Sequence, residues 1–185
     1  MRYISLISIM FSFSIAAQPN LVSVGEFQLE YEIAGKGKNT VLLEAGGSAG
    51  LSDWDPVFSR IAEHATVICY SRVGNGKSTP VKRHFTSSDY ARYASELLVN
   101  LNIKQPIILV AHSYGGSVAR DFAAAYPSQI KALLMLDPSS EHDVDIIRAI
   151  DLDKGNQEIA QIKLEDMTNG MSNQYLDFWS KRPLP

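Results

Sequence analysis

An unbroken apolar run that ends in a turn of small residues constrains this chain more than any other stretch. Residues 107–111 predict a strand buried on both faces, and a helix-forming segment opens shortly after them. A serine on so tight a strand-to-helix turn has a strained backbone, so the residues two positions before and after Ser113 must be small. Ala111 and Gly115 meet that requirement. The stretch therefore has the layout of a nucleophile elbow with Ser113 as the candidate catalytic nucleophile, and a plain turn serine is the alternative.

Two backbone N–H groups are predicted to form an oxyanion hole beside Ser113. The N–H of Tyr114 lies at the first turn of the predicted helix, where it points to a developing negative charge. Gly46 and Gly47 follow an apolar strand predicted to lie next to the elbow strand, and a residue without Cβ lets its N–H approach a reacting carbonyl closely. We take Gly47 as the second donor. Gly46 or Ser48 are alternatives, and a plain turning loop is the other interpretation.

Strand and helix patterns alternate through most of the chain. Residues 27–33 alternate between apolar and polar, which indicates a strand with one solvent-exposed face. Residues 21–24 form its candidate hairpin partner. The alternation predicts an α/β fold with a largely parallel sheet over residues 20–140. Over residues 141–185, short helical patterns follow without strands between them. The alternating patterns are apolar runs at 40–43, 66–70, 107–111 and 132–136, and helical spacings that begin near residues 55, 88 and 117.

Composition argues against several classes of function. The chain has 185 residues, of which 45% are hydrophobic and 20% charged, as expected of one soluble globular domain. A net charge of −3 provides no basic surface, which argues against nucleic-acid binding. The single cysteine, Cys69, cannot form an internal disulfide, and its apolar neighbours predict a buried structural thiol. No set of His, Cys or Asp residues has metal-ligand spacing, and no motif implies an organic cofactor.

The first residues predict export. Arg2 is followed by an uncharged stretch, residues 3–17, that ends in small residues. A positive start, an apolar centre and a small-residue end are typical of a secretory signal peptide, here residues 1–17 with cleavage after Ala16 or Ala17. We therefore expect a secreted or periplasmic protein with no stable membrane span after cleavage. An uncleaved anchor and an ordinary buried segment are the alternatives.

One stretch is similar to a phosphate-binding loop without meeting its requirements. Gly76, Lys77 and Ser78 follow a predicted strand, as the end of a P-loop does. The P-loop also needs a glycine five positions before Gly76, where Ser71 stands, and a helix that starts at the lysine, which Pro80 opposes. Nucleotide binding is therefore disfavoured.

Five motifs follow one another in an order that a known family shares. They are LLEAGG (42–47), DW (53–54), YSRVGNGKS (70–78), AHSYGG (111–116) and LDPS (136–139). Together they resemble the N-terminal part of the α/β-hydrolase superfamily, in its serine hydrolase branch, with strands seven and eight missing. The resemblance implies hydrolysis of a small-molecule ester, lactone, thioester or amide through an acyl-enzyme, and it makes residues 141–185 the start of a helical cap.

The same resemblance implies a catalytic acid and a histidine after the last two strands of the family, and these are expected beyond Pro185. His112 flanks the nucleophile, but its side chain is predicted to point away from Ser113 in a structural role. His142 is the only histidine after Ser113, and the short loop from Asp137 disfavours a triad of Ser113, Asp137 and His142. We expect a truncated form with little activity. The alternative is a non-catalytic binding module or pseudoenzyme on the same fold.

The last predicted strand, residues 132–136, bears on solubility. In the strand order of the family it becomes an uncovered edge, although its apolar residues suit the centre of a sheet. An exposed apolar edge pairs with other chains. We therefore expect this polypeptide alone to be poorly soluble or only partly folded.

Overall fold

A six-stranded sheet forms the centre of the structure, a computed structural model that describes residues 20–83, 85–140 and 142–168. Within these ranges the predicted α/β fold with a largely parallel sheet is confirmed, because three of the five strand pairs are parallel and the two antiparallel pairs lie at one side of the sheet. The predicted signal peptide and the last residues of the predicted cap lie outside the described residues. The strands, in spatial order, are β1 (Asn20–Val24), β2 (Phe27–Ala34), β4 (Thr66–Tyr70), β3 (Thr40–Glu44), β5 (Ile107–His112) and β6 (Ile130–Leu136).

The first three α-helices begin within two residues of their predicted starts near 55, 88 and 117. A capping box between Thr86 and Asp89 begins the second helix, so its first backbone N–H groups are satisfied by side chains. No helix in the described ranges combines the length and the apolar character that crossing a bilayer requires. The α-helices are α1 (Asp55–Ala62), α2 (Ser87–Asn100), α3 (Gly115–Ala125), α4 (Asp143–Ile150) and α5 (Leu152–Thr168).

The central strands of the sheet are buried on both faces, because successive side chains along each of them point to opposite faces. Leu42 of β3 lies beside Ile68 of β4 and Leu109 of β5, and all three are buried with residues of α2 and α3. The next residue, Leu43, points to the other face and packs in a second cluster with Phe58 of α1. A parallel strand buried on both faces has this continuous apolar pattern. The central strands are therefore held by two cores, and their carboxyl ends reach one edge of the sheet together.

Cys69 is buried on the α1 face of the sheet, as predicted. Burial, reinforced by the charge of Glu32, raises the pKa of its thiol to about 12. Because the thiolate is the reactive form, we expect the native protein to resist alkylation by iodoacetamide at about pH 8 and the guanidinium-unfolded chain to react fully. Intact-mass spectrometry measures the labelled fraction. A Ser128→Cys variant supplies an exposed thiol at position 128 as the matched control. Labelling of Cys69 in the native protein as fast as labelling at position 128 would contradict the prediction.

Strand β6, one of the two edge strands of the described sheet, exposes apolar side chains, as predicted for 132–136. Leu133, Leu134 and Leu136 are 37%, 51% and 40% exposed. Leu134 and Leu136 also line an apolar cavity of about 570 Å³ against Trp54. The strand thus combines unpaired edge groups with an apolar surface, which favours self-association.

Placing a charge on β6 is expected to reduce this self-association. Leu134→Lys removes the most exposed leucine of the strand and opposes edge-to-edge pairing, so the variant should elute as a monomer at micromolar concentration where the parent chain forms larger species. Size-exclusion chromatography with light scattering makes the measurement. Val99→Lys, on the exposed face of α2, is the matched control and should leave the association unchanged. A sharp melt of a monomeric parent chain would contradict the prediction.

Candidate active site

Ser113 occupies a strained turn between β5 and α3. Its backbone φ is 52°, in the left-handed region that residues other than glycine rarely adopt. The turn is held from the β6 side, because the Ser113 N–H donates to Leu136 O at 3.2 Å and the Ser113 carbonyl accepts from Ser139 N at 2.9 Å. The same carbonyl accepts from Gly116 N at 2.8 Å. Strain that neighbouring contacts maintain in this way is characteristic of functional turns.

The requirement for small residues around Ser113 has a structural cause. A Cβ at Gly115 would lie 2.6 Å from the carbonyl oxygen of Ala45 and 2.8 Å from that of Glu44. A Cβ at Gly116 would lie 2.5 Å from the Cβ of Pro138. The start of α3 therefore packs directly on the backbone that follows β3. Helix α3 starts at Gly115, two residues before the predicted start, because the chain is already helical after the Ser113 turn.

The glycine loop after β3 reaches Ser113, as the strand order predicts. Strands β3 and β5 are parallel neighbours, so both loops leave the same edge of the sheet. A Cβ at Gly46 would lie 3.4 Å from the Cβ of Ser113, and Gly47 follows in a half-buried turn. Tyr114 precedes α3 with helical backbone angles, at the positive end of that helix. The structure thus brings together the segments that carry Gly47 and Tyr114, whose assignment as oxyanion donors stays a prediction.

A buried ionic network lies beneath this loop, and sequence reasoning missed it. The Arg72 guanidinium donates to the Glu44 carboxylate and to the backbone oxygens of Ala45 and Gly46, while the Tyr70 hydroxyl donates to the other Glu44 oxygen. Arg72 and Glu44 are 2% and 1% exposed. A charged residue at the end of a buried apolar strand rarely stays buried without a partner, so Glu44 at the end of β3 was the available signal.

Burial and the charge of the partner residue together set the pKa values of this network. Burial raises the pKa of the Glu44 carboxyl, against the opposing effects of the Arg72 charge and the hydrogen bonds from Tyr70 and Arg72. Burial also acts to lower the pKa of Arg72, but the Glu44 charge and hydrogen bond outweigh it and raise that pKa. The pKa of Tyr70 lies well above its ordinary value because of burial and the adjacent carboxylate. Arg72 therefore keeps its charge and its full set of donors at neutral pH.

The histidines do not complete a triad with Ser113 in the described structure. A Cβ at Gly46 would lie 3.3 Å from His112 Nδ1, so the His112 ring lies close to the glycine loop. That this side chain points away from Ser113 stays a prediction. The His112 ring is exposed and lines a cavity of about 260 Å³ with Asp53 and Trp54.

His142 precedes α4, where its backbone N–H donates to Ser140 Oγ at 3.1 Å. Among the residues that the structure describes, no hydrogen bond joins the Ser113 hydroxyl to an imidazole or His142 to Asp137. The disfavoured triad of Ser113, Asp137 and His142 is thus not assembled in this part of the chain.

The loop similar to a phosphate-binding loop is filled by a carboxylate of the same chain. The Glu30 side chain accepts from Ser71 Oγ at 3.0 Å and from Lys77 N at 2.9 Å. A Cβ at Gly76 would lie 2.4 Å from Glu30 Oε2, and Ser78 Oγ donates to the Ser71 carbonyl at 2.6 Å. No helix starts at Lys77, since residues 71–78 form turns. The anion position that a phosphate would need is therefore taken, in agreement with the prediction against nucleotide binding.

Known proteins share this architecture. A family model for the alpha/beta hydrolase fold matches residues 39–177. An uncharacterized protein of Mycobacterium tuberculosis is 28% identical over 144 residues, which are 77% of this chain and 42% of the relative. Lipase LipV of the same organism is 32% identical over 104 residues, covering 55% of this chain and 39% of LipV.

Solved structures match over a similar part of the chain. The structure of Cfl2 from Burkholderia cenocepacia has a TM-score of 0.62 at 27% identity, covering 65% of this chain and 41% of Cfl2. E-2-(acetamidomethylene)succinate hydrolase shares the fold with a TM-score of 0.61 at 23% identity, covering 71% of this chain and 50% of that enzyme. The chain thus spans from about two fifths to one half of the length of these proteins.

Proposed function

Because the chain belongs to the α/β-hydrolase fold family, we propose that it carries the nucleophile and the oxyanion hole of a serine hydrolase acting on an ester, lactone, thioester or amide. One observation carries the proposal. Ser113 has a left-handed backbone at the junction of β5 and α3, and the glycine loop after β3 packs against it. A serine raised on such a turn exposes its hydroxyl at the edge of the sheet where substrates of α/β folds bind.

The proposed reaction proceeds through an acyl-enzyme. Ser113 Oγ attacks the substrate carbonyl carbon, its proton passes to a base, and the carbonyl π electrons move onto oxygen. The N–H groups of Gly47 and Tyr114 stabilise the resulting oxyanion. Collapse of the intermediate breaks the bond to the leaving group, which takes the proton, and water then releases the acyl group from Ser113.

On this proposal, the base and its supporting acid are not supplied by the described residues. The chain spans about two fifths of LipV, and no imidazole in the described ranges bonds to Ser113. Without a base, an oxyanion hole and a bound substrate retain only weak catalysis. We therefore expect hydrolysis of an activated ester by this polypeptide to stay close to background.

A fluorophosphonate probe tests the proposal, since it bonds covalently to a nucleophilic serine. We expect slow formation of one adduct, located on the peptide that contains Ser113 by mass spectrometry. Ser128→Ala, at an exposed serine after α3, is the matched control and should label like the parent chain. Absence of an adduct on Ser113 would instead favour the non-catalytic binding module. Rapid labelling would contradict the missing base and direct attention to His142.

Export is proposed on the sequence alone. A signal peptide at residues 1–17 would direct the chain to the periplasm or the medium. N-terminal sequencing of the chain expressed in a bacterial host should find Ala17 or Gln18 as the first residue. A first residue at Met1 or Arg2 would contradict cleavage.

A further inference from the structure

We propose that Arg72 is a positioning residue that aims both donors of the oxyanion hole. This inference rests on the function proposed above and extends it to a residue that does not touch the substrate. Arg72 is buried beneath the loop after β3, and its bonds to Ala45 and Gly46 tie that loop to the segment that follows β4.

Arg72 orients the first donor, the Gly47 N–H, by holding the carbonyl of the same peptide group. The Gly46 carbonyl and the Gly47 N–H belong to the same planar trans peptide, so they point in opposite directions. Arg72 holds the Gly46 carbonyl, so the Gly47 N–H points away from Arg72. Gly46 itself adjoins Ser113, since a Cβ on it would lie 3.4 Å from the Ser113 Cβ, and on this proposal the N–H faces that side. Because a second nitrogen of the rigid guanidinium holds the Ala45 carbonyl at 2.6 Å, the preceding peptide cannot rotate independently.

The second donor belongs to a residue whose ring contacts the same guanidinium. The Cζ atom of Arg72 lies 5.4 Å from the ring centroid of Tyr114 and 5.4 Å from that of Tyr90. Tyr114 is fully buried and carries the other predicted N–H donor. One cation thus contacts both chain segments of the predicted oxyanion hole, and the Glu44 carboxylate orients that cation from the end of β3.

Lysine cannot replace this geometry. Arg72→Lys keeps a positive charge beside Glu44 but presents a single nitrogen where the guanidinium presents two to separate carbonyls. The Gly46–Gly47 peptide is then free to turn. In the folded variant we expect the rate constant for phosphonylation of Ser113 by the fluorophosphonate to fall by about tenfold or more, because loss of one oxyanion donor costs about a hundredfold or more.

The experiment separates positioning from loss of stability. Leu97→Ala, in the core beneath α2, is the matched control, since it lowers stability without touching the loop or Ser113. Phosphonylation rates are corrected for the folded fraction from urea titrations, and the ³¹P resonance of the adduct reports hydrogen bonds to the phosphoryl oxygen. We expect Leu97→Ala to keep the parent rate and resonance, and Arg72→Lys to slow labelling and shift the resonance towards that of the unfolded adduct.

Three outcomes decide the matter. Parent-like labelling and resonance in folded Arg72→Lys overturn the positioning role while leaving the proposed nucleophile intact. Absence of labelling in the parent chain overturns the proposed function, and the positioning role falls with it. If Arg72→Lys does not fold, the double variant Glu44→Leu/Arg72→Met removes both buried charges, and the same slow labelling is expected of it.

Discussion

Replacing Ser113 with glycine is expected to abolish phosphonylation and, relative to alanine at the same position, to raise the free energy of unfolding by about 1 kcal/mol. The loss of labelling follows from removal of the Oγ nucleophile. The gain in stability follows from the backbone, because Ser113 has a φ of 52° and glycine adopts that angle without the steric cost that any Cβ brings.

Ser113→Ala is the matched comparison, since it removes the same hydroxyl but keeps the Cβ. Urea unfolding followed by circular dichroism measures both variants, and the fluorophosphonate measures the adduct. A glycine variant less stable than the alanine variant would contradict the strain. An adduct that persists in either variant would place the reactive serine elsewhere.

Removing the Glu44 carboxylate is expected to lower the free energy of unfolding by about 3–5 kcal/mol, since Glu44→Ala leaves the buried Arg72 charge without its partner. Both side chains are almost completely buried, so water cannot solvate the orphaned guanidinium. The variant should therefore unfold at a much lower urea concentration than the parent chain.

The double variant Glu44→Leu/Arg72→Met is the control for this prediction. It removes both charges and fills the space with apolar side chains, so most of the stability lost in Glu44→Ala should return. Urea midpoints of the two variants and the parent give the comparison. A loss below about 1 kcal/mol in Glu44→Ala, of the size expected for an exposed ion pair, would contradict the burial of the network.

Much of the fold could be predicted from the sequence because the signals are local. The alternation of apolar residues predicted β2, since side chains two positions apart share one face of a strand. The unbroken apolar run before Ser113 predicted β5 as a strand buried on both faces. The small residues around Ser113 indicated a tight turn for the same local reason. The strand order that places the loop of Gly46 and Gly47 beside that turn then followed from the family resemblance, and the pairing of β3 with β5 confirms it.

The ionic network could not be predicted in the same way. Glu44 and Arg72 are 28 positions apart, and only the pairing of β3 with β4 places them at adjacent strand ends. The position of the His112 ring near Gly46 likewise depends on the pairing of β3 with β5, and it could not be predicted from the strand of His112 alone. Contacts of this kind depend on which strands become neighbours and in which register.

By itself, the sequence determined the elements of this protein, the position of Ser113 on a strained turn and the need for small residues at its flanks. Only the tertiary structure decided that Glu30 fills the loop at 71–78 and that Arg72 lies beneath the glycine loop after β3. The physical reason is the range of the interactions. Backbone angles and amphipathic patterns depend on residues a few positions apart, whereas a buried charge is tolerated only where distant segments supply its partner.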